Sequence, residues 1–428
     1  MTVQRTRRDV LKATGIAATG MAVAPAFVPA HVFGKNAPSN RITMGFIGVG
    51  MQGHGVNLKM FLEQSDCRAV AVCDVKPEAR QRAAQSVNNA YGNQDCFVTD
   101  DFREILQRDD IDAVCISTPD HWHVPMSTMA LEAGKDVISE KPTLSIQEGR
   151  ELVDVVKKTG RVFTVGLEDR SLPRYHKLAE VVRNGGIGKL HTIHVGLPYK
   201  EKVWQKLPES PVPKGMNYRL WLGPAPYAPY CANRTQPQCW RQIEDYAAGV
   251  LTDWGMHLCD TAQVANFAEN TSPVKVEGVG VIPENALNSV PNKFELTYTF
   301  ANGVVMHVKS SKASIRFEGS DGWCGNNKWN TALMSDDHSI FDEKHPDNQM
   351  WPRPPREQRN FLDCVRFGAK PNYDAEALHR LSTTLLIGSI AMKLKRPLQW
   401  NPEREEFVDD AEANALRSRP RSDEWMKY

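Results

Sequence analysis

Between residues 41 and 166, short apolar runs alternate with stretches whose apolar positions recur every three or four residues. The runs have the length of buried strands, and the stretches have the period of amphipathic helices. "RITMGFIGVG" (41–50) comes first, closed by glycines and followed by a helical stretch to about Gln64. "CRAVAVCD" (67–74), "CFVTDD" (96–101), "IDAVCIST" (111–118), "DVISEKP" (136–142) and "GRVFTVG" (160–166) follow as further strands. Helices are expected near 76–89 and 102–108, and from the loop after Pro119 to Gly134. Apolar strands alternating with helices predict a parallel sheet covered on both faces.

After residue 166 the pattern changes. A loop and a helix stopped by Gly185 and Gly186 lead into "LHTIHVGLPY" (190–199). "PVKVEGVGVI", "KFELTYTF" and "VVMHVKS" then read as strands, the last two joined by "ANG" as a hairpin. "EALHRLSTTLLIGSIAMKLK" (376–395) is a long amphipathic helix with a structural role. The fold class is therefore α/β, with a nucleotide-type domain at 41–165 and a second domain at 166–428 that ends in a helix and a tail.

The first glycine turn carries chemistry. Gly48-Val49-Gly50-Met51-Gln52-Gly53 sits between a strand and a helix, and Asp74 closes the next strand 21 residues after Gly53. Gly48 permits a tight turn, Gly50 lets backbone approach a pyrophosphate, and Gly53 lets helix and strand pack closely. This is the fingerprint of dinucleotide binding. Asp74 accepts the ribose hydroxyls of NAD and repels a 2′-phosphate, although nearby Lys76 softens that repulsion and leaves NADP possible. Met51 and Gln52, then Ser117, Thr118, Pro119 and His123, then Glu140 and Lys141, join the cofactor candidates. Lys141 stands at a strand's carboxyl end, where open parallel sheets bind ligands.

"LTDWGMHLCD" (251–260) supplies a second set of polar groups. On a helix, Asp253, His257 and Asp260 share one face. His257 suits a base or proton relay at neutral pH, and the role is assigned jointly to Lys141 and His257. Asp253 either orients the imidazole, binds a neighbouring hydroxyl, or only caps the helix. Asp260 is assigned to structural support. Lys141 can hydrogen-bond a reacting oxygen, and an adjacent oxidised nicotinamide should lower its pKa. "KLPESPVPKGMNYRLWLGPAPYAPY" (206–230) suits a rigid loop over a carbohydrate, with Trp204, Tyr218, Trp221 and Trp240 as stacking candidates or simple packing.

Composition excludes more than it assigns. The net charge of +1 over 428 residues gives no field to recruit nucleic acid or an anionic membrane. No apolar run reaches about eighteen residues, so no membrane span is expected in the mature protein. The nine cysteines have no C-x-x-C spacing, and no metal site is expected. Cys231 and Cys239 are the candidate disulfide in an oxidising compartment. "TRRDVLK" followed by "ATGIAATGMAVAPAFVPA" reads as a twin-arginine export signal over 1–30, with a linker at 31–40. Periplasmic or otherwise exported protein is the expectation, with the cofactor loaded before transit of the folded chain.

Taken together, "GFIGVGMQG", "VCD", "STPDHWHVPMSTMALEAGKDVISEKP" and the D-x-x-x-H of "LTDWGMHLCD" resemble the glucose–fructose oxidoreductase / inositol dehydrogenase (Gfo/Idh/MocA) family, in a branch carrying twin-arginine signals. The resemblance implies a Rossmann domain and a C-terminal α/β domain whose mostly antiparallel open sheet forms an oligomer interface, hence a homodimer or homotetramer. It implies hydride transfer between a nicotinamide and a sugar, polyol or glycoside hydroxyl carbon. Lys141, Asp253 and His257 fall on the family's catalytic positions, and Arg170 and Tyr175, with His176, fall where polar groups often line the substrate cleft. Two departures stand out: Asp120 replaces asparagine in T-P-N-x-x-H, and Ala248 replaces a glycine before Gly249. Two alternatives accompany the oxidoreductase reading. One is an NAD-dependent glycoside hydrolase or lyase acting through transient C3 oxidation; the other is a non-catalytic sugar sensor.

Overall fold

The computed structural model describes residues 41–199 and 202–427; the expected signal and linker at 1–40 lie outside the described residues. Six parallel strands, β1 (Ile42–Ile47), β2 (Cys67–Cys73), β3 (Phe97–Thr99), β4 (Ala113–Ile116), β5 (Asp136–Ser139) and β6 (Phe163–Val165), form one sheet in the order β3-β2-β1-β4-β5-β6. The order reverses direction between β1 and β4, which opens a crevice beyond their carboxyl ends. β1, β4, β5 and β6 are almost wholly buried, as strands covered on both faces must be. β5 stops at Ser139, three residues earlier than "DVISEKP" suggests, and frees Glu140, Lys141 and Pro142 to leave the sheet. The helix expected after Gly53 begins as a π-helical stretch, Gly53–Leu58, before Lys59–Leu62.

A second sheet has nine strands in the order β13-β12-β11-β7-β10-β9-β8-β14-β15. They are β7 (Leu190–Pro198), β8 (Lys275–Val281), β9 (Lys293–Thr299), β10 (Val305–Ser311), β11 (Ser314–Gly319), β12 (Trp323–Asn326), β13 (Met334–Ser335), β14 (Leu398–Asn401) and β15 (Glu406–Phe407). β7 and β10 pair parallel, and the other pairs are antiparallel. The Val250–Ala265 and Ala375–Leu394 helices pack on this sheet and on each other. Small residues allow the approach: a Cβ on Gly388 would stand 2.0 Å from the Tyr298 hydroxyl, and one on Gly255 would stand 2.9 Å from Leu385.

Residues from Ile42 onward make one compact unit. Two late segments tie its halves together. Arg419 and Arg421 both reach the buried carboxylate of Glu148, and Trp425 packs edge-on against Trp122 at 4.7 Å. Within 202–249, Asn217 N donates to Val75 O, and Tyr218, Trp221 and Trp240 share an apolar cluster with Trp204. The candidate Cys231–Cys239 bridge is not present: all nine cysteines are free, and both of these are buried. Burial pushes the Cys239 thiol up to about 12, so it resists becoming the thiolate that disulfide exchange requires.

Candidate active site

The crevice between β1 and β4 opens into a cavity of about 540 Å³ that runs from Asp74 and Lys76 to Lys141, Asp253 and His257. The glycine turn forms its floor. Gly48 has φ +80°, and a Cβ there would lie 2.7 Å from the Ser117 carbonyl; at Gly53 a Cβ would lie 1.9 Å from Gly48 O. Neither position tolerates a side chain. Gly50 differs, because the space where its Cβ would stand is open. That is the geometry a pyrophosphate needs to rest on backbone N–H groups, so the residues present fit a dinucleotide. Met51, Gln52, Ser117, Thr118, Pro119, His123, Glu140 and Lys141 border the same cavity.

Asp74 accepts from Val49 N at 3.0 Å and from Lys76 N at 2.9 Å, which turns its carboxylate toward the turn. Burial raises its pKa, and the two backbone donors and Lys76 oppose that rise. The Lys76 ammonium donates to Thr235 O at 2.9 Å. It is thus tied to the 202–249 segment, while the Asp74 carboxylate at this position suits the ribose hydroxyls of NAD.

Polar groups beneath the cavity hold the loops in register. Glu140 accepts from Asn57 Nδ2 at 2.9 Å and from Gln52 Nε2 at 3.2 Å, and Asn57 also donates to Ser117 Oγ. Gln358 Nε2 in turn donates to Asn57 Oδ1 at 3.2 Å. His123 bridges two loops, with Nδ1 2.9 Å from Pro142 O and Nε2 2.9 Å from Thr118 O. Both of its ring nitrogens face protein carbonyls, so His123 fixes the loops around the cofactor site. Asn57 and Gln358 carry no motif and were not expected; their roles follow from contacts across 60 and 301 residues.

Three groups on one face of the Val250–Ala265 helix meet three groups beyond β5 and β6. Lys141 Nζ donates to Asp253 Oδ1 at 2.9 Å and to Asp253 O at 2.8 Å. His257 Nδ1 lies 2.6 Å from Asp169 Oδ2, and Arg170 clamps both oxygens of Asp260, with Nη2 2.8 Å from Oδ1. Each helix residue thus has a partner at the carboxyl edge of the first sheet. Asp253 also sits in the helix's first turn, where the backbone dipole favours a carboxylate. Gly249 is the N-cap, with φ +78°, so capping is not the work of Asp253.

The electrostatics follow from these pairs. Burial disfavours the Lys141 ammonium, but Asp253, then Glu140 and Asp120, outweigh it and hold Lys141 above its ordinary value. The protein's own groups therefore oppose the lowering expected from a nicotinamide. Asp253 is held well below the carboxylate range: burial would raise it, but Lys141 and Arg241 prevail. Burial would lower His257, and Asp169 reverses the sign. At Asp120 burial, joined by the nearby Asp253 charge, outweighs the opposing pull of Arg241 and Lys141 and pushes it up to about 8. At neutral pH it is largely a neutral acid, one donor beside one acceptor, as asparagine would be. The departure at this position is thereby explained.

Several expectations are corrected. Asp253 does not orient His257; Asp169 does, which the sequence reading missed because the two stand 88 residues apart. Arg170 does not face the cavity. It is buried against Asp260, and its guanidinium lies 4.0 Å from the centre of the Tyr373 ring. Tyr175 is also buried, and its hydroxyl accepts from Asn330 N at 2.8 Å. His176 binds Trp351 O. Among the aromatic candidates, Trp221 and Trp240 border the cavity, whereas Trp204 and Tyr218 only pack beneath it. Glu168, Asp169 and His257 place ligand-type atoms within 4.8 Å of one another, a spacing the sequence reading did not anticipate. The 2.6 Å contact commits two of those atoms to each other.

Asp169→Asn is expected to shift the acidic limb of the kcat/KM profile to lower pH. A histidine base acts only when neutral, and at His257 this variant removes the carboxylate that raises the pKa. The plateau should fall roughly a hundredfold as the ring loses its anchor. A limb that stays in place would assign it to another group.

A profile of the oxidoreductase-family NAD-binding Rossmann fold matches residues 42–167, and one of the family's C-terminal alpha/beta domain matches residues 177–427. Glycosyl hydrolase family 109 protein 1 of Shewanella sp. (strain MR-4) is 31% identical over 203 residues, or 43% of this chain and 44% of that protein. The match thus spans less than half the length of that curated relative. Aldose-aldose oxidoreductase from Caulobacter crescentus, complexed with glycerol, shares 18% identity and a TM-score of 0.61 over 84% of this chain and 99% of its own. WlbA dehydrogenase from Bordetella pertussis, in complex with NADH and UDP-GlcNAcA, shares 16% identity and a TM-score of 0.62 over 85% of this chain and 98% of its own. At these identities the likeness to solved structures is one of fold. The two profiles, the glycine turn and the paired sheets lead to one conclusion: the chain belongs to the Gfo/Idh/MocA family of oxidoreductases, with an NAD-binding Rossmann half and a C-terminal α/β half.

Proposed function

We propose that this protein moves a hydride between a hydroxyl carbon of a sugar, polyol or glycoside and a tightly held nicotinamide cofactor. One observation carries the reading: Lys141 and His257, each fixed by its own carboxylate, border the same cavity as the glycine turn. Bound NAD supplies the hydride acceptor. Gly48 to Gly53 and Asp74 would hold it, while Thr118, Pro119 and Glu140 border its place. Lys141 hydrogen-bonds the substrate oxygen and keeps its charge through Asp253. His257 donates from Nδ1 to Asp169, which leaves Nε2 to take the hydroxyl proton.

Tight retention has its own support. The 202–249 segment reaches over the adenosine side through Asn217 N to Val75 O and Lys76 to Thr235 O. A folded chain exported by its twin-arginine segment would need such retention, because free NAD is scarce outside the cytoplasm. A second reading is favoured by the family 109 relative's name: oxidation at C3 is transient, the neighbouring C–H is acidified, and the aglycone leaves with no net redox change.

The deciding experiment presents a panel of sugars and glycosides to purified protein and follows the reduced-nicotinamide absorbance of the bound cofactor alongside product release. Net reduction supports the first reading; aglycone release without it supports the second. Cofactor-free protein after gentle purification would overturn tight retention. Gly50→Val serves as the control. The space it fills is open, so the protein should fold normally yet carry no nucleotide.

A further inference from the structure

We propose that Trp254, backed edge-on by Trp329, forms an aromatic wall beside His257 that seats the C–H face of a neutral cyclic sugar, and that Trp254 selects ring-form over open-chain substrates. This rests on the sugar-oxidoreductase reading above and names its substrate class.

Trp254 follows Asp253 in the helix and borders the cavity, with its ring centroid 5.6 Å from that of His257. Trp329 stands perpendicular to it, at 6.0 Å and 89°, and also meets the His257 ring at 6.1 Å. The segment that carries Trp329 is pinned on both sides of its backbone. Asn330 N donates to the Tyr175 hydroxyl at 2.8 Å, and Arg174 donates to Asn330 O at 3.0 Å. Tyr175 therefore serves the substrate side indirectly, by holding this wall. The Trp329 indole N–H is buried without a partner in the protein, an exception to the rule that interiors satisfy their donors.

A rigid aromatic surface next to the proton acceptor matches the flat C–H face of a pyranose ring, whereas a flexible alditol presents no such face. Glu168 and Arg241 border the same cavity and can serve the hydroxyl edges of a ring. Charge argues for neutrality. Lys141 is paired with Asp253, His257 with Asp169, and Arg241 Nε lies 3.6 Å from Asp253 Oδ2. Lys141 and Arg241 share Asp253, and Glu168 adds a third carboxylate at the cavity border, so cations and carboxylates match in number and a sugar phosphate or uronate would find no excess of positive charge here.

The test uses cofactor-loaded full-length protein. It compares neutral methyl pyranosides, the matching alditols, and uronates, for wild type, Trp254→Phe and Trp254→Ala. Trp254→Ala should raise KM for the methyl pyranosides about tenfold, leave kcat and the alditol KM near wild type, and retain its cofactor. Trp254→Phe should keep most of the ring preference, and uronates should be poorer substrates than their neutral counterparts. Equal losses for rings and alditols would overturn the proposal. Loss of bound cofactor from Trp254→Ala would overturn it too, since Trp254 would then be seating the nicotinamide. If wild type turns over none of these compounds, the oxidoreductase reading itself fails, and that result is read without any variant.

Discussion

Lys141→Met should lose roughly 10³-fold in kcat/KM while retaining its cofactor. The substitution keeps much of the side chain's length and apolar stem but removes the ammonium that would hydrogen-bond the substrate oxygen. It leaves Asp253 without its nearest cation. Arg241, at 3.6 Å, remains to neutralise that carboxylate, so the stability loss should be smaller than for an isolated buried pair. Turnover on the sugar panel, nucleotide content after denaturation and the melting temperature separate these effects. Wild-type turnover by Lys141→Met would remove Lys141 from the mechanism, and loss of nucleotide would show that its work lies in cofactor binding.

The largest stability effect is expected at Asp260. Its side chain is 3% exposed and that of Arg170 10%, and the two make a bidentate pair. Asp260→Ala strands a guanidinium in the interior, at a cost of about 3 to 5 kcal/mol. Tyr373 cushions the cation by stacking, but it supplies no charge. The double variant Asp260→Leu, Arg170→Met should recover most of the loss, because removing both charges also removes the desolvation penalty. Chemical denaturation of the single and double variants measures the coupling. An unchanged denaturation midpoint in Asp260→Ala would show that the pair contributes nothing to stability.

These two sites differ in how far the sequence reveals them. The glycine turn, Asp74 and Lys141 were legible because their chemistry is local: a turn, a strand end and a helix start lie within a few residues of one another. Asp253 and His257 were legible as a pair through helical spacing, yet their partners were not. Asp169 and Arg170 look like ordinary loop residues after β6, and they acquire roles only when the Val250–Ala265 helix docks above them. Of the aromatic candidates, Trp221 and Trp240 border the cavity, and the other two were misplaced for the same reason. A proline- and tryptophan-rich stretch advertises itself, but Trp204 and Tyr218 are used to pack that stretch, while Trp329 reaches His257 from a segment with no motif. Asp120 was visible as a departure from the family pattern, but only its burial and the neighbouring Asp253, which together raise its pKa, show that it is not an ordinary surface carboxylate.

By itself, the sequence determined the alternation of strands and helices, the dinucleotide turn and the candidate polar groups Lys141, Asp253 and His257. Each of these depends on short-range sterics and hydrogen bonding that act within one supersecondary unit. Only the tertiary structure decided that Asp253 pairs with Lys141 and Asp169 with His257, that Arg170 belongs to the interior, and which aromatic rings surround His257. Those assignments depend on distances between residues far apart in the chain, and on burial that turns a solvated charge into one requiring a partner.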